Sequence, residues 1–126
     1  FDTSISNKTL LTHSISLLNN KSIEDFKDKT NQKIEDQRFR GNLYVDGIEP
    51  WEERGWIGKI IKINNISFKI EKDIPRCVAI NLKPNSDDDS LNLLQSLKKT
   101  YNHFNMGVYL TAMSEGEIVI GDKLFL

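Results

Sequence analysis

Three scarcities in the sequence exclude whole classes of protein. There is one cysteine among 126 residues, which excludes an internal disulfide framework and leaves a single thiol to explain. Basic residues are not in excess, because there are 17 Lys and Arg and 18 Asp and Glu. This balance argues against a protein that binds nucleic acid mainly through charge attraction to its phosphate backbone. No apolar run approaches the ~18 residues of a membrane span, and no charged-then-apolar leader opens the chain. We therefore expect no association with a membrane, and a cytoplasmic location.

The length is typical of one domain, although the chain starts at Phe1 rather than at a methionine. Residues 1–9 are rich in Ser, Thr and Asn, and they predict a linker or the remnant of a missing N-terminal region. Residues 10–126 show no internal repeat and no second linker, so we expect them to form one domain.

Short apolar segments at regular spacing predict more strands than helices. We expect a helix beginning at Ser22, where Ser-Ile-Glu-Asp resembles a capping box, and a second one with Leu91, Leu94 and Leu97 on one face. Extended segments are predicted at 10–18, 43–45, 59–63, 66–70, 77–82, 108–113, 118–120 and 123–126, with turns at Asn64-Asn65 and Gly116. The predicted fold class is mainly β (α+β), a β-barrel or sandwich with a few helices on its rim.

Arginine is used sparingly, with four Arg against thirteen Lys. Three of the four lie in Arg38-Phe39-Arg40 and in Arg76-Cys77. This bias suggests that Arg is kept where a planar five-donor group is needed, for phosphate, carboxylate or a flat ring edge, although pairing with Asp or Glu would explain it equally well. Asn42 follows Arg40 by two positions, so on an extended segment both side chains would address one partner.

Cys77 is the candidate reactive residue. Arg76 beside it would favour the thiolate, which is both a soft metal ligand and a nucleophile. The alternative is a small buried hydrophobic residue in a strand, the common state of a free cysteine.

Other polar features favour structural roles. His13 and His103 have no Cys or carboxylate beside them at metal-ligand spacing, so a zinc site is not expected. The run from Asp87 to Asp89 lacks the later Glu of a calcium-binding loop and predicts a solvated turn. Trp51 and Trp56 are expected in core or lid packing.

Taken in order, the motifs resemble those of the MOSC family, the C-terminal domain of molybdenum-cofactor sulfurases. The pieces are an Arg-Phe-Arg-x-Asn segment, an Asp-Gly turn, a tryptophan followed by glycine, an Arg-Cys pair, Gly-x-Tyr and Gly-Asp. In this sequence they are Arg38-Phe39-Arg40-Gly41-Asn42, Asp46-Gly47, Trp51 with Trp56-Ile57-Gly58, Arg76-Cys77, Gly107-Val108-Tyr109 and Gly121-Asp122.

The resemblance implies a β-barrel-like fold that binds the molybdenum cofactor, as in relatives of the amidoxime-reducing component. Carried over by position, Cys77 would be the metal ligand and catalytic residue. The residues expected around the pterin and phosphate of the cofactor are Arg38, Arg40, Asn42, Arg76, Tyr109 and Ser22. Expected partners are a small-molecule substrate such as an N-hydroxylated compound, an electron-transfer protein, and a missing N-terminal domain packed against this one.

Two alternatives remain open at this point. Cys77 could carry a persulfide for the assembly of a metal–sulfur centre, or the chain could be a non-catalytic module that kept the fold. The sequence also departs from the family pattern, because Gly41 replaces a common proline. The segment from Val78 to Pro84 lacks the Thr, and the Asp before proline, that many relatives show.

Overall fold

The molecule is built on one mixed sheet of seven strands. The computed structural model describes residues 3–5, 14–64, 66–86, 88, 90–113 and 124–125. The strand order is β1-β3-β2-β6-β5-β4-β7, and every neighbouring pair is antiparallel except β2 and β3. The strands are β1 (Thr3–Ile5), β2 (Ser14–Asn19), β3 (Leu43–Val45), β4 (Ile60–Ile63), β5 (Ile66–Pro75), β6 (Asn105–Ala112) and β7 (Leu124–Phe125).

Two α-helices and three short 3-10 helices complete the described elements. The helices are α1 (Asn20–Thr30) and α2 (Leu93–Tyr101), and the 3-10 helices are Asp36–Phe39, Glu52–Trp56 and Val78–Asn81. Asparagine caps both ends of each α-helix. Asn19 and Asn92 accept hydrogen bonds from first-turn amides, while Asn31 and Asn102 adopt the left-handed conformation that ends a helix.

The sheet separates two apolar clusters. Leu17 and Leu18 are adjacent on β2 but belong to different clusters, because successive side chains of a strand point to opposite faces. The inner cluster comprises Ile15, Leu17, Leu43, Val45, Ile48, Trp56, Ile61, Ile63, Ile66, Phe68, Ile70, Val108, Leu110 and Leu124. The outer cluster, to which the α-helices contribute, comprises Leu18, Ile23, Phe26, Ile34, Phe39, Ile80, Leu93, Leu97 and Met106.

The predicted fold class is confirmed, because a curved, mainly β sheet forms a half-barrel with a few helices against it. Two element predictions are wrong. Residues 77–82 form no strand, because β5 ends at Pro75 and the following backbone turns into the 3-10 helix Val78–Asn81. Helix α1 begins at Asn20 instead of Ser22, since the side chain of Asn19 already accepts from the amide of Lys21.

The segment predicted as a linker contributes backbone to the sheet. Within residues 1–9, Thr3–Ile5 pair antiparallel with β3. Pairing at a sheet edge uses main-chain groups and leaves little apolar pattern to detect. The predicted Gly116 turn, the strand 118–120, the Gly121-Asp122 motif and His13 lie outside the described residues. No helix in the described part of the chain is long and apolar enough to cross a membrane.

Candidate functional site

Cys77 lies at the point where the chain leaves β5 and enters the third 3-10 helix. Its backbone is extended, at φ −126° and ψ −177°, and its thiol is free and exposed to solvent. The alternative of a buried structural cysteine is therefore wrong. The backbone turn after Pro75 exposes the sulfur, because a strand continuing into the sheet would have covered it.

Arg76 is bound by backbone carbonyl groups from two other elements. Its Nε and Nη2 donate to the carbonyl oxygen of Met106 at 2.9 and 2.7 Å, and its Nη1 donates to that of Phe39 at 2.6 Å. The guanidinium also lies 5.6 Å from the centre of the Phe39 ring. These contacts join the Arg-Phe-Arg segment, the end of β5 and the start of β6, and they fix a guanidinium whose charge interacts with the Cys77 thiol.

No carboxylate neutralises Arg76 within the described residues. Burial lowers the pKa of its guanidinium to about 10, because a low-dielectric surrounding disfavours the charged form. The groups whose charges interact with it are the Tyr109 and Tyr44 hydroxyls and the Cys77 thiol. A largely buried cation of this kind favours an anion at the same place.

Close packing in this region requires glycine at position 107. Gly107 has φ +86°, and a Cβ there would lie 2.5 Å from Cδ2 of Leu18, 2.9 Å from the backbone oxygen of Leu17 and 3.4 Å from Nη2 of Arg76. The glycine of the Gly-x-Tyr motif is thus needed so that β2 and the Arg76 guanidinium can approach β6.

Asn42 and Tyr109 are brought together through a residue that the sequence did not indicate. The Oδ1 of Asn42 accepts from the backbone amide of Ser16 at 2.8 Å and from its hydroxyl at 3.2 Å. Ser16 is the direct neighbour of Tyr109 in the β2–β6 register. On the other side Tyr109 pairs with Lys72, whose ammonium lies 5.7 Å from the centre of its ring.

Arg38 is buried and engaged in structural contacts. Its Nε donates to Oε1 of Glu35 at 2.6 Å, and its Nη1 donates to the carbonyl of Asn81 at 2.8 Å and to that of Ile80 at 3.3 Å. The hydrogen bond from Arg38 lowers the pKa of the Glu35 carboxyl. Arg38 therefore fastens the third 3-10 helix, which begins directly after Cys77, to the first.

Arg40, unlike Arg38, lies at the surface. Its side chain is exposed, and its backbone is left-handed at φ 51° and ψ 49°. It lines a cavity of about 320 Å³ between residues 37–40 and 79–86, to which Arg38, Leu82, Lys83 and Ser86 also contribute. Sequence reasoning missed Lys83 and Ser86, because only the fold brings their loop opposite Arg40.

Ser22 lies in a separate, fully buried network. Its hydroxyl donates to Oε1 of Glu53 at 2.7 Å and accepts from the amide of Trp51 at 2.7 Å, and Nδ2 of Asn19 donates to Oε2 of Glu53 at 3.0 Å. Burial raises the pKa of the Glu53 carboxyl, although these two hydrogen bonds oppose the shift. Within the described residues, the hydrogen bonds of the Ser22 hydroxyl are to Glu53 and Trp51 and not to the residues around Cys77.

The remaining polar and aromatic residues pack as expected. Trp56 is buried in the inner cluster, and Trp51 packs against the outer one at 4.5 Å from the ring of Tyr101. His103 accepts a hydrogen bond from the amide of Asn105 and contacts Arg54. In the described part of the chain no three His, Cys, Asp or Glu side chains are grouped as metal ligands.

Comparisons with known proteins agree with the motifs. A family model described as the MOSC domain matches residues 8–125. Mitochondrial amidoxime reducing component 2 of Rattus norvegicus is 25% identical over 123 residues, covering 88% of this chain and 36% of the relative. Molybdenum cofactor sulfurase 2 of Culex quinquefasciatus is 28% identical over 75 residues, covering 59% of this chain and 10% of the relative.

A solved structure shows the same fold. The crystal structure of YiiM from Geobacillus stearothermophilus superposes with a TM-score of 0.69 and 14% identity over 97% of this chain and 61% of that one. The chain spans about a third of the length of the amidoxime reducing component that it matches, and a tenth of the sulfurase.

Proposed function

The chain belongs to the MOSC domain family, and from this premise we propose that it binds a molybdenum cofactor through Cys77 and contributes the metal-binding part of an oxidoreductase. The observation that carries the proposal is the exposed Cys77 thiol beside the largely buried, uncompensated charge of Arg76. A thiolate is a soft ligand suited to such a metal, and the cation attracts the anionic groups of the cofactor.

The residues around Cys77 fit this group. Gly107 lets β6 pack closely against β2 and the Arg76 guanidinium, because a Cβ there would collide with Leu18. Asn42 is held by Ser16 next to Tyr109, which offers a carboxamide and a phenol to a planar heterocycle. Arg40 provides an exposed guanidinium for phosphate. When bound, the cofactor would supply redox-active molybdenum.

In this proposal the roles of the cationic residues differ. Arg76 holds its place through Phe39 and Met106 and acts as a fixed positive charge at the sulfur. Arg38 is satisfied by Glu35 and two carbonyl groups, so it positions the backbone around Cys77. A direct cofactor contact of Arg38 or Ser22 stays a prediction.

A small-molecule substrate fits the surroundings of the thiol. Val78 follows Cys77 with 70% of its surface exposed, and Phe104, whose carbonyl accepts from the amide of Arg76, is 41% exposed. These side chains offer an apolar contact beside a polar reactive group. We propose an N-hydroxylated compound, the class to which the name of the amidoxime reducing component points.

An electron-transfer protein with an acidic surface is the proposed partner. Lys62, Lys69 and Lys72 are exposed on the β4–β5 hairpin, and the described residues give none of them an ion pair. Lys72 is next to Tyr109 in the sheet, so this basic face adjoins the site. Opposite charges steer association of such partners. A cytoplasmic location also stays a prediction.

The metal content of the purified chain tests the proposal. We expect close to one molybdenum per chain after expression in a host that makes the cofactor, and loss of that metal in Cys77→Ser, because a hydroxyl is a much poorer soft-metal ligand. Val78→Ser is the matched control, since it changes the exposed neighbour and keeps the thiol. Metal retained in Cys77→Ser, or absent from the unmodified chain, contradicts the proposal.

Sulfur transfer is the second candidate, and the exposed lone thiol beside Arg76 favours it. The Cys77 thiolate would attack the outer sulfur of a donor persulfide, forming a persulfide on Cys77 and releasing the donor as its thiolate. Intact-mass measurement separates the two candidates, because a cyanide-labile sulfur on Cys77 without molybdenum supports transfer. A chain with neither metal nor persulfide would be the non-catalytic module.

A further inference from the structure

The cavity next to Arg40 has the size of a small ligand site. At about 320 Å³ it lies at the lower end of the ~300–1,000 Å³ range of protein ligand pockets. One wall is the first 3-10 helix with its C-cap Arg40, and the other is formed by residues 79–86, which follow Cys77 in the chain.

Two cations line this cavity. Within the described residues the guanidinium of Arg40 has no hydrogen bond or ion pair, and the Lys83 ammonium has no ion pair but interacts at longer range with the Glu35 and Asp88 carboxylates. Arg38 beneath them is already neutralised by Glu35. Where the structure describes the lining, it contains no Asp or Glu. The nearby Asp88 carboxylate accepts from the amide of Ser90.

Hydrogen bonds hold the backbone of both cationic residues. The amide of Arg40 donates to the carbonyl of Gln37 at 3.0 Å, and its own carbonyl accepts from the Ser16 hydroxyl at 3.2 Å. The left-handed backbone of Arg40 is uncommon for a residue other than glycine. Opposite it, the amide of Lys83 donates to the carbonyl of Asp88 at 2.8 Å and closes the loop.

A neutral donor completes the set. The hydroxyl of Ser86 accepts from the amide of Asp88 at 3.0 Å, so its own hydrogen is available to donate. The cavity therefore combines a planar guanidinium, an ammonium and a hydroxyl. Charge-assisted donors that line one cavity match the many acceptor oxygens of a phosphate group.

We propose that this cavity is a phosphate site in which Arg40 and Lys83 bind the oxygens and Ser86 donates a further hydrogen bond. This proposal deepens the proposed function, in which Arg40 also contacts the cofactor. It rests on the proposed function only where it identifies which molecule carries the phosphate. The group belongs either to the pterin cofactor or to a separate phosphorylated small molecule.

Titration of the isotopically labelled 126-residue chain with inorganic phosphate tests the site. We expect saturable shifts of backbone amide resonances confined to residues 37–40 and 79–86. Lys83→Gln should weaken binding about tenfold, the effect of one charge-assisted contact, while Lys83→Arg should bind nearly as well as the unmodified chain. Lys99→Gln removes an exposed charge from α2 that has no ion pair within the described residues, and it should leave binding unchanged.

Linear, unsaturated shifts, or an equal loss in Lys83→Gln and Lys99→Gln, would overturn the proposal. A repeat with molybdenum-loaded protein assigns the source, because a cofactor phosphate would already occupy the cavity and block added phosphate, whereas a separate ligand would still bind. The two proposals fail independently. Phosphate binding without molybdenum loading contradicts the proposed function alone, and molybdenum loading without phosphate binding contradicts this inference alone.

Discussion

At the scale of single residues, Arg76 shows how one side chain serves structure and chemistry together. On burial its guanidinium exchanges hydrogen bonds to water for hydrogen bonds to two backbone carbonyl groups, those of Phe39 and Met106. Carbonyl groups satisfy the donors but cancel little of the charge, so the cation remains available to an anion at Cys77.

Arg76→Lys should lower the free energy of unfolding by about 2 kcal/mol, because an ammonium on a flexible stem cannot hold both carbonyl groups in the geometry of the planar fork. Arg54→Lys is the matched control. Arg54 pairs with Asp73 at 3.0 Å and is partly exposed, so its replacement should cost no more than about 1 kcal/mol. Urea denaturation followed by circular dichroism measures both, and equal losses would show that the two carbonyl contacts of Arg76 contribute little.

The sequence indicated candidate residues for the site, but most of their contacts depend on the fold. Cys77 and Arg76 are neighbours in the chain, so their proximity could be inferred directly. The hydrogen bond between Asn42 and Ser16 spans 26 residues and depends on the parallel pairing of β2 and β3, which no local pattern reveals. Ser22 was expected at the cofactor, yet the structure places its hydroxyl between Glu53 and Trp51.

At the scale of secondary-structure elements, β5 and β6 form the scaffold of the site. Their register shifts between Ile70 and Lys72 and again between Asp73 and Pro75. Such irregularities bend a strand and redirect its side chains, and they often occur near functional sites. Alternation predicted the strand only over Ile66–Ile70, because after the first shift the polar residues no longer follow a period of two.

The third 3-10 helix shows why an apolar segment can be mistaken for a strand. Its four residues, Val78–Asn81, have strand-like composition, but only Ile80 is buried in a cluster. Arg38 donates hydrogen bonds to the carbonyl groups of Ile80 and Asn81. The side chain of Asn81 accepts a hydrogen bond from the amide of Leu94 at the start of α2. These long-range contacts satisfy the backbone without a neighbouring strand.

Gly107→Ala should lower the free energy of unfolding by about 2–5 kcal/mol and displace Arg76 from its carbonyl partners. The left-handed backbone costs a residue with a Cβ roughly 1–2 kcal/mol, and forcing a methyl group against Leu18 and the backbone of Leu17 adds about 1–3 kcal/mol.

Gly55→Ala provides the control, because its φ is not positive and nothing lies within 4 Å of the added Cβ. It should be neutral or slightly stabilising, by about 0.4–1 kcal/mol. Thermal unfolding compares the pair, and a Gly107→Ala protein as stable as Gly55→Ala would show that β2 and β6 can separate without cost.

At the scale of the whole molecule, one sheet carries an apolar cluster on each of its two faces. The inner cluster draws on six of the seven strands and holds the curvature of the sheet. The outer cluster joins α1, α2 and the first and third 3-10 helices, so the backbone around Arg40 and Cys77 is carried by the helical side. The composition predicted a mainly β fold with peripheral helices, but the division of residues between the two faces follows from strand register.

A buried acid in this framework should make the stability of the whole molecule depend on pH. Glu53 is fully buried, its partners Ser22 and Asn19 are neutral, and burial raises the pKa of its carboxyl above the ordinary 4.5. Between these two pKa values the folded protein keeps a proton on Glu53 that the unfolded chain releases. The stability that Glu53 contributes is therefore present below about pH 4.5 and is lost as the pH rises through the raised pKa of the folded state.

Glu53→Gln removes this titration, so its free energy of unfolding should rise relative to that of the unmodified protein as the pH increases from about 4.5 to 8. Each unit of pKa elevation corresponds to about 1.4 kcal/mol, which sets the scale of the expected difference. Urea denaturation of both proteins across this range gives the difference directly and cancels the titration of His103, whose pKa is lowered by burial in both. A difference that stays constant with pH would mean that Glu53 ionises as easily in the folded protein as in water.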